Sequence, residues 1–238
     1  MFEKPNQPPQ LRSAEIVHRR ALALAYVVCR AMIDVDPNPN AKKMSEMILF
    51  FINGVGLTPD LLPHELRMLN TPFGKLKLDE CASTSWLSEG MVTLAWALGL
   101  ADLPDPRTKC HPGPPSMGLG MFRPGTKERL SQAALRDPAE IDMKFSTYLS
   151  FNWRIGHFVL HPEEKMDFIA RLKDPNSPHL LVDELEFIDD DVAIDGMPLA
   201  NVPHDRAGEV AFIVRERFNA FKWLQGYSEQ YSTEVPVQ

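Results

Sequence analysis

The sequence predicts a mainly α protein: a single irregular or orthogonal helical bundle with one small β-hairpin near residues 192–199. Three observations carry that expectation. Ser85 to Leu100 (SWLSEGMVTLAWALGL) is the densest apolar run with helical spacing and holds one charge, Glu89. Long segments near both ends of the chain repeat apolar residues at the same helical period. The hairpin rests on one strand–turn–strand signal, Asp195-Gly196 between two β-compatible arms.

Residues 1–12 are polar and Pro-rich and read as a flexible tail, leaving 13–238 as one helical domain. Ser13 is placed to cap a helix to about Asp34, with Ile16, Val17, Ala21, Leu24, Val28 and Met32 inward. Arg19-Arg20 ahead of the apolar Ala21–Cys29 invites a secretion-signal reading. The run is short, ends at Arg30 and has no small-residue cleavage site, so a packed helix is the better reading. A helix from Ala41 to Ile52 should stop at Asn53-Gly54, and Pro63 opens another that ends before Thr71-Pro72.

In the central stretch Leu87, Met91, Leu94, Ala95 and Leu98 share a face. Trp86, Gly90, Thr93 and Ala97 form a second, mostly small stripe. A helix apolar on two faces belongs inside a bundle. Ser85 is the expected N-cap, Gly99 the C-cap, and the helix could begin as early as Asp79. Residues 101–125 form a long Pro/Gly-rich loop. Helices are then expected over 126–136, from the capping box Asp137-Pro138-Ala139-Glu140 through about Trp153, over 162–172 and over 178–187. Pro198 limits its hairpin arm to an edge. The last helix runs from about Ala207 to Gly226, with Val210, Val214, Phe218, Phe221 and Leu224 on one face.

Composition narrows the class of function. A net charge of −7 without a long basic run argues against nucleic acid, which needs cations for its phosphates. No stretch is apolar for long enough to span a bilayer. Three cysteines, Cys29, Cys81 and Cys110, have no paired spacing and suit a reducing compartment, so a cytoplasmic protein is expected.

The blocks Glu15–Leu22, Ser85-Trp86 with Glu89 and Leu94–Leu100, and Glu216-Arg217 with Ala220 and Trp223-Leu224 resemble the domain-of-unknown-function (DUF) family 4272. The Asp195–Leu199 hairpin joins the last block, and together the three span nearly the whole chain. The resemblance implies a mainly helical bacterial protein with no assigned reaction. The chain departs from the family pattern at Leu87, Phe218 and Lys222, where members often carry Arg, His and Asn.

No motif names a reaction. Gly120-x-x-x-x-Gly125-Thr126-Lys127 nearly spells a phosphate loop, but its last two residues are reversed and no buried strand precedes it. His157, His161 and Glu164 have ligand spacing, yet Gly156 and Pro162 argue against a continuous helix there. Cys110-His111 has no second ligand pair nearby. Asp189-Asp190-Asp191 with Asp195 lacks the register of a calcium loop and reads as a solvated loop. No metal site and no cofactor are expected.

What remains are charges set in apolar helices: Arg19, Arg20, Glu89, Glu216 and Arg217. Glu89 is expected to pair with an arginine of the first or last helix. One reading is a structural ion pair that fixes helix register. The other is a polar inter-helix pocket, rimmed by Trp86 and Trp223, that binds a small anion or acts as acid and base. The function favoured from the sequence is a soluble interaction protein that recognises another protein. An enzyme or small-anion binder built on the pocket is the alternative.

Overall fold

The structure, a computed structural model, describes residues 10–36, 38–162, 164–174, 182 and 184–231. Helix α1 (Ala14–Asp34), α2 (Ala41–Val55), α3 (Pro63–Asn70), α4 (Leu78–Ser85) and α5 (Leu87–Ala97) make the first half. The second half holds α6 (Gly113–Gly118), α7 (Thr126–Ser131), α8 (Pro138–Leu160), α9 (Phe168–Lys173) and α10 (His204–Leu224). Strands β1 (Phe187–Ile188), β2 (Asp191–Ile194) and β3 (Met197–Pro198) form a small antiparallel sheet in that order. The main helices pack in the sequence α2, α1, α5, α10, α8, which puts α5 at the centre. All eleven residues of α5 are buried. Full burial of a large apolar side chain contributes about 1.5–3 kcal/mol, so this short helix anchors much of the core.

The central helix starts at Leu87, two residues after the expected Ser85 cap, and the possible earlier start at Asp79 belongs to a separate helix, α4. Trp86 N–H donates to Ser83 O (3.2 Å) and Glu89 N–H to Trp86 O (3.0 Å), so the chain tightens to three-residue turns at the junction. Ser85 caps nothing; its hydroxyl donates to Ala82 O at 2.7 Å. Gly99, with φ 67°, closes the C-terminal end of the stretch in the left-handed conformation.

Several expected boundaries move for local reasons. α2 continues to Val55 because the left-handed cap is Gly56, with φ 76°. The expected 126–136 helix ends at Ser131. Arg136 instead gives its N–H to Ala97 O (2.8 Å) and its Nε to Trp96 O (2.7 Å), capping α5. α8 runs through Gly156 to Leu160, because Ile155 and Phe158 are buried around that glycine. α9 starts late, at the Asp167 cap, whose carboxylate accepts from Ala170 N–H at 2.7 Å. Residues 178–181 and 183 of the expected 178–187 helix lie outside the described residues. Phe187 itself lies in β1, paired with Val192. The 101–125 loop contains α6.

The turn Asp195-Gly196 has φ 52° and 76°, and joins β2 to β3 as a tight hairpin. Ile16 and Met32 of α1 face outward, at 46% and 43% exposure, while fourteen other residues of that helix are buried. Of the expected tail, residues 1–9 lie outside the described residues. Arg12 N–H donates to Leu224 O (2.9 Å), and its guanidinium reaches Trp223 O (2.8 Å) and Ser228 O (2.6 Å). Among the described residues no helix is long and apolar enough to cross a membrane.

Candidate functional site

Helix α5 carries Glu89 into the core opposite Arg217 of α10, and both side chains are fully buried. Glu89 Oε2 accepts from Arg217 Nε (2.9 Å) and Nη2 (2.7 Å). Its other oxygen accepts the N–H of Cys110 at 2.7 Å. The remaining Arg217 donors reach the carbonyls of Pro104 (2.7 Å) and Thr108 (2.7 Å) and the hydroxyl oxygen of Tyr148 (2.9 Å). Every polar edge of the pair is therefore matched, the condition under which a buried ion pair is tolerated. The small cavity of about 80 Å³ beside this region reaches Tyr148 but not Glu89 or Arg217.

The other candidate charges are dispersed. Arg19 meets the Asp60 carboxylate at the partly exposed end of a short turn, with Nη2–Oδ2 at 2.6 Å. Arg20 is buried and makes a two-pronged pair with Glu65 of α3, at 2.8 and 2.6 Å. Trp223 packs edge-on to Tyr231 with Arg12 over its ring. Glu89 and Arg217 are fully buried, and of the expected rim residues Trp86, not Trp223, lines a cleft.

That cleft lies between α3, α4, the Trp86 junction and α10, with a volume of about 610 Å³. Trp86 and Glu216 are the candidate residues that line it. Trp86 stacks on Phe212, ring centroids 5.4 Å apart and 19° from parallel. Lys109 Nζ sits 3.9 Å over the Trp86 ring and the Arg215 guanidinium 4.6 Å over Phe212. Glu216 is 4% exposed, and its Oε2 has no hydrogen-bond partner. The nearest cation to its other oxygen is Arg215 Nε at 3.7 Å, too long for a hydrogen bond. Burial, against a weaker opposing pull from Arg215, pushes the Glu216 carboxyl up to about 7. Behind it lies the buried Tyr231 hydroxyl, also without a partner and raised by burial first and by Glu216 second. Gly90 makes room for that hydroxyl: a Cβ at Gly90 would stand 1.7 Å from Tyr231 Oη.

The weaker motifs resolve as local structure. Thr126 Oγ1 lies 2.7 Å from both Gly120 O and Arg123 O, closing the phosphate-loop look-alike on itself. Cys110 is buried with its thiol pushed up to about 12, chiefly by burial and then by Glu89, which makes it a poor nucleophile. His157 and His161 have ring centroids 5.1 Å apart on and just after α8, contrary to the expected helix break. Among the described residues no group of three or more His, Cys, Asp or Glu side chains is placed to hold a metal ion. Asp191 is not solvated: it is 3% exposed and forms a two-pronged pair with Arg154, at 2.7 and 2.6 Å. Sequence reading did not single out Arg154, Glu65 or Tyr148 as site residues. The signal for Arg154 was present, a charge in the apolar stripe of α8 between Phe151 and Phe158.

The sequence model of a family described as Domain of unknown function (DUF4272) matches residues 2–167. The chain belongs to that family. The DUF4272 match contains the Glu15–Leu22 and Ser85–Leu100 blocks and stops before the hairpin and α10. Glu89 thus lies inside the DUF4272 segment, whereas its partner Arg217 and the cleft residue Glu216 lie beyond it. No curated protein and no solved structure matches the chain.

Proposed function

We propose that this DUF4272 protein binds a small polar ligand in the cleft between α3, α4 and α10. The observation that carries the reading is Glu216: a carboxyl group in the cleft wall, almost fully buried, with one oxygen lacking any hydrogen-bond partner. A buried acceptor without a donor costs about 1–3 kcal/mol, and such a cost is commonly met at sites where a ligand completes the bonding. The volume supports the reading, since small-molecule sites run to roughly 300–1,000 Å³. A carboxyl poised near neutrality could also take or release a proton there.

The recognition of another protein keeps one structural support. Met47 and Phe50 stand one turn apart on the outer side of α2, Phe50 being 73% exposed. One comparison separates the two readings. Ser83 is exposed and lines the cleft, so Ser83→Trp fills the cleft without entering the core. Thermal-shift screening of a metabolite library should give hits with the natural chain that Ser83→Trp abolishes. Hits that survive Ser83→Trp, or a library without any hit, would remove the cleft reading. A protein partner captured equally well by both forms would favour α2.

A further inference from the structure

Resting on the ligand-cleft reading, we infer that the ligand is a small organic cation, an amine or guanidine whose head group sits on the Glu216 carboxylate beside the Trp86–Phe212 wall.

The charges of the cleft decide the sign. Glu65 already has its cation, because both of its oxygens accept from Arg20. Glu216 has none within hydrogen-bond distance. The cations that line the cleft do not offer an equivalent seat for an anion. His64 and Arg67 are exposed on α3, and Arg215 is already drawn over Phe212. An anion brought to the Glu216 wall would meet an unpaired carboxylate in a poorly hydrated place, where like charges repel strongly. The aromatic wall has the matching preference. Its two stacked rings have drawn two of the chain's own cations, Lys109 and Arg215, to 3.9 and 4.6 Å, as ring quadrupoles do. The geometry makes Arg215 a loose internal substitute for the ligand. Its Nε stops 3.7 Å from Glu216 Oε1, and an incoming ammonium or guanidinium would take that place and make the hydrogen bond Arg215 does not.

The groups facing Glu216 set a proton linkage. Arg215 on α10 and Glu89 on α5 act on it directly, and Tyr231, itself influenced by Arg20 and Glu65, lies behind it. A cation binds the ionised carboxylate, so binding should expel the proton. With the group at about 7, the ionised fraction rises about tenfold between pH 6 and pH 8, and affinity should rise by about the same factor.

Isothermal titration calorimetry on the full chain tests this with butylamine, 1,4-diaminobutane and agmatine, against butyrate and butanol as anionic and neutral controls. The expected result is binding of at least one amine and neither control, with affinity rising about tenfold from pH 6 to pH 8. Glu216→Gln, close to isosteric, should weaken that binding by about tenfold or more, the usual worth of a hydrogen bond to a charged group. The pH dependence of the natural chain gives the same answer should the variant fold poorly. Butyrate binding in preference to the amines would overturn the cation and leave the cleft intact. Amine binding indifferent to pH and to Glu216→Gln would overturn the seat. No binding by any amine, while the library screen returns cleft ligands of another chemistry, would overturn the ligand class. A library screen without hits would instead remove the underlying cleft reading.

Discussion

Replacing Glu89 by glutamine should be among the most damaging single changes this chain can undergo. The carboxylate serves two sets of donors at once, Arg217 through Oε2 and the Cys110 N–H through Oε1. Glutamine has one oxygen. If it faces Arg217, the amide N–H group points at the Cys110 N–H; if it turns, it points at the guanidinium. Either rotamer orphans a buried donor, at about 1–3 kcal/mol, and removes the charge opposite Arg217. Breaking one side of a buried pair costs about 3–5 kcal/mol, and with both groups fully buried solvent offers little relief. At about 2–4 °C per kcal/mol for a chain of this size, the melting temperature should fall by roughly 6–20 °C. Urea denaturation followed by circular dichroism measures the free energy. Hydrogen exchange at Cys110 gives the local signal, since its N–H loses its acceptor. The double replacement Glu89→Leu with Arg217→Met should recover only part of the loss. The carbonyls of Pro104 and Thr108 would still lack the donors Arg217 supplied. A Glu89→Gln loss below about 1 kcal/mol would refute the claim that this pair holds α5, α10 and the 104–110 segment together.

Two further outcomes concern Glu216 and its neighbours. Gly90→Ala puts a Cβ 1.7 Å from Tyr231 Oη, and overpacking of this kind costs about 1–3 kcal/mol against at most about 1 kcal/mol regained in helix propensity. Tyr231→Phe removes a hydroxyl that has no partner, so it should be nearly neutral alone and should rescue part of the Gly90→Ala loss; additive losses in the double mutant would show that the two do not meet. Glu216 carries a pH signature. Its folded value of about 7 lies above the ordinary 4.5, so the folded state holds the proton more tightly. That contribution is fully present below pH 4.5 and is lost as pH rises to about 7, up to about 3 kcal/mol in total. Urea titrations at pH 5 and pH 7.5 should show the natural chain losing stability relative to Glu216→Gln; parallel curves would contradict the assignment.

How far the fold was legible depended on whether a signal was local. α1, α10 and the Asp195-Gly196 hairpin carry their caps, periods and turn residues in their own sequences, and they stand within a few residues of where those signals put them. The α4–α5 junction was legible only in part: Ser85 marked a helix start within two residues of Leu87, but whether the helix reached back to Asp79 was left open, and packing makes that segment a separate helix. Gly156 misled for a related reason. A glycine costs a helix about 1 kcal/mol, which the burial of Ile155 and Phe158 on either side outweighs. Glu89 stood out as a carboxylate in an apolar helix, but its partner did not: Arg19, Arg20 and Arg217 are equivalent until helix crossings place them. The cleft was invisible in the same way. Glu216 is next to Arg217 in sequence, yet one faces the cleft and the other the filled core.

What the buried arginine side of that division does has a chemical cause in the prolines. The chain has 21, and a proline contributes a carbonyl acceptor without an N–H donor. Pro-containing segments such as Thr71-Pro72 and Pro104-Asp105-Pro106 therefore hold more acceptors than they can satisfy themselves. Arginine is the complementary residue, with five donors in a planar fork and no acceptor. Arg30 is fully buried, pairs with Asp34, and reaches Thr71 O at 2.9 Å. Arg20 binds Glu65 and also Asp60 O, at 3.0 Å, next to the Leu61–Pro63 turn. Arg217 binds Glu89 and also carbonyls within and just after the Pro104–Pro106 bend, Pro104 O and Thr108 O. In each case a carboxylate takes part of the fork and balances its charge, and the rest fastens a loop. Lysine could not substitute, because a point charge with three donors does not divide between a carboxylate and a loop in this planar way. The buried arginines Arg20, Arg30 and Arg217 are thus committed to these junctions, although the Nε of Arg20 and of Arg30 keeps no partner, and so are the carboxylates that balance them. Glu216 is the buried carboxylate in the cleft wall that serves no such junction, which is why the case for a ligand rests on it rather than on Glu89.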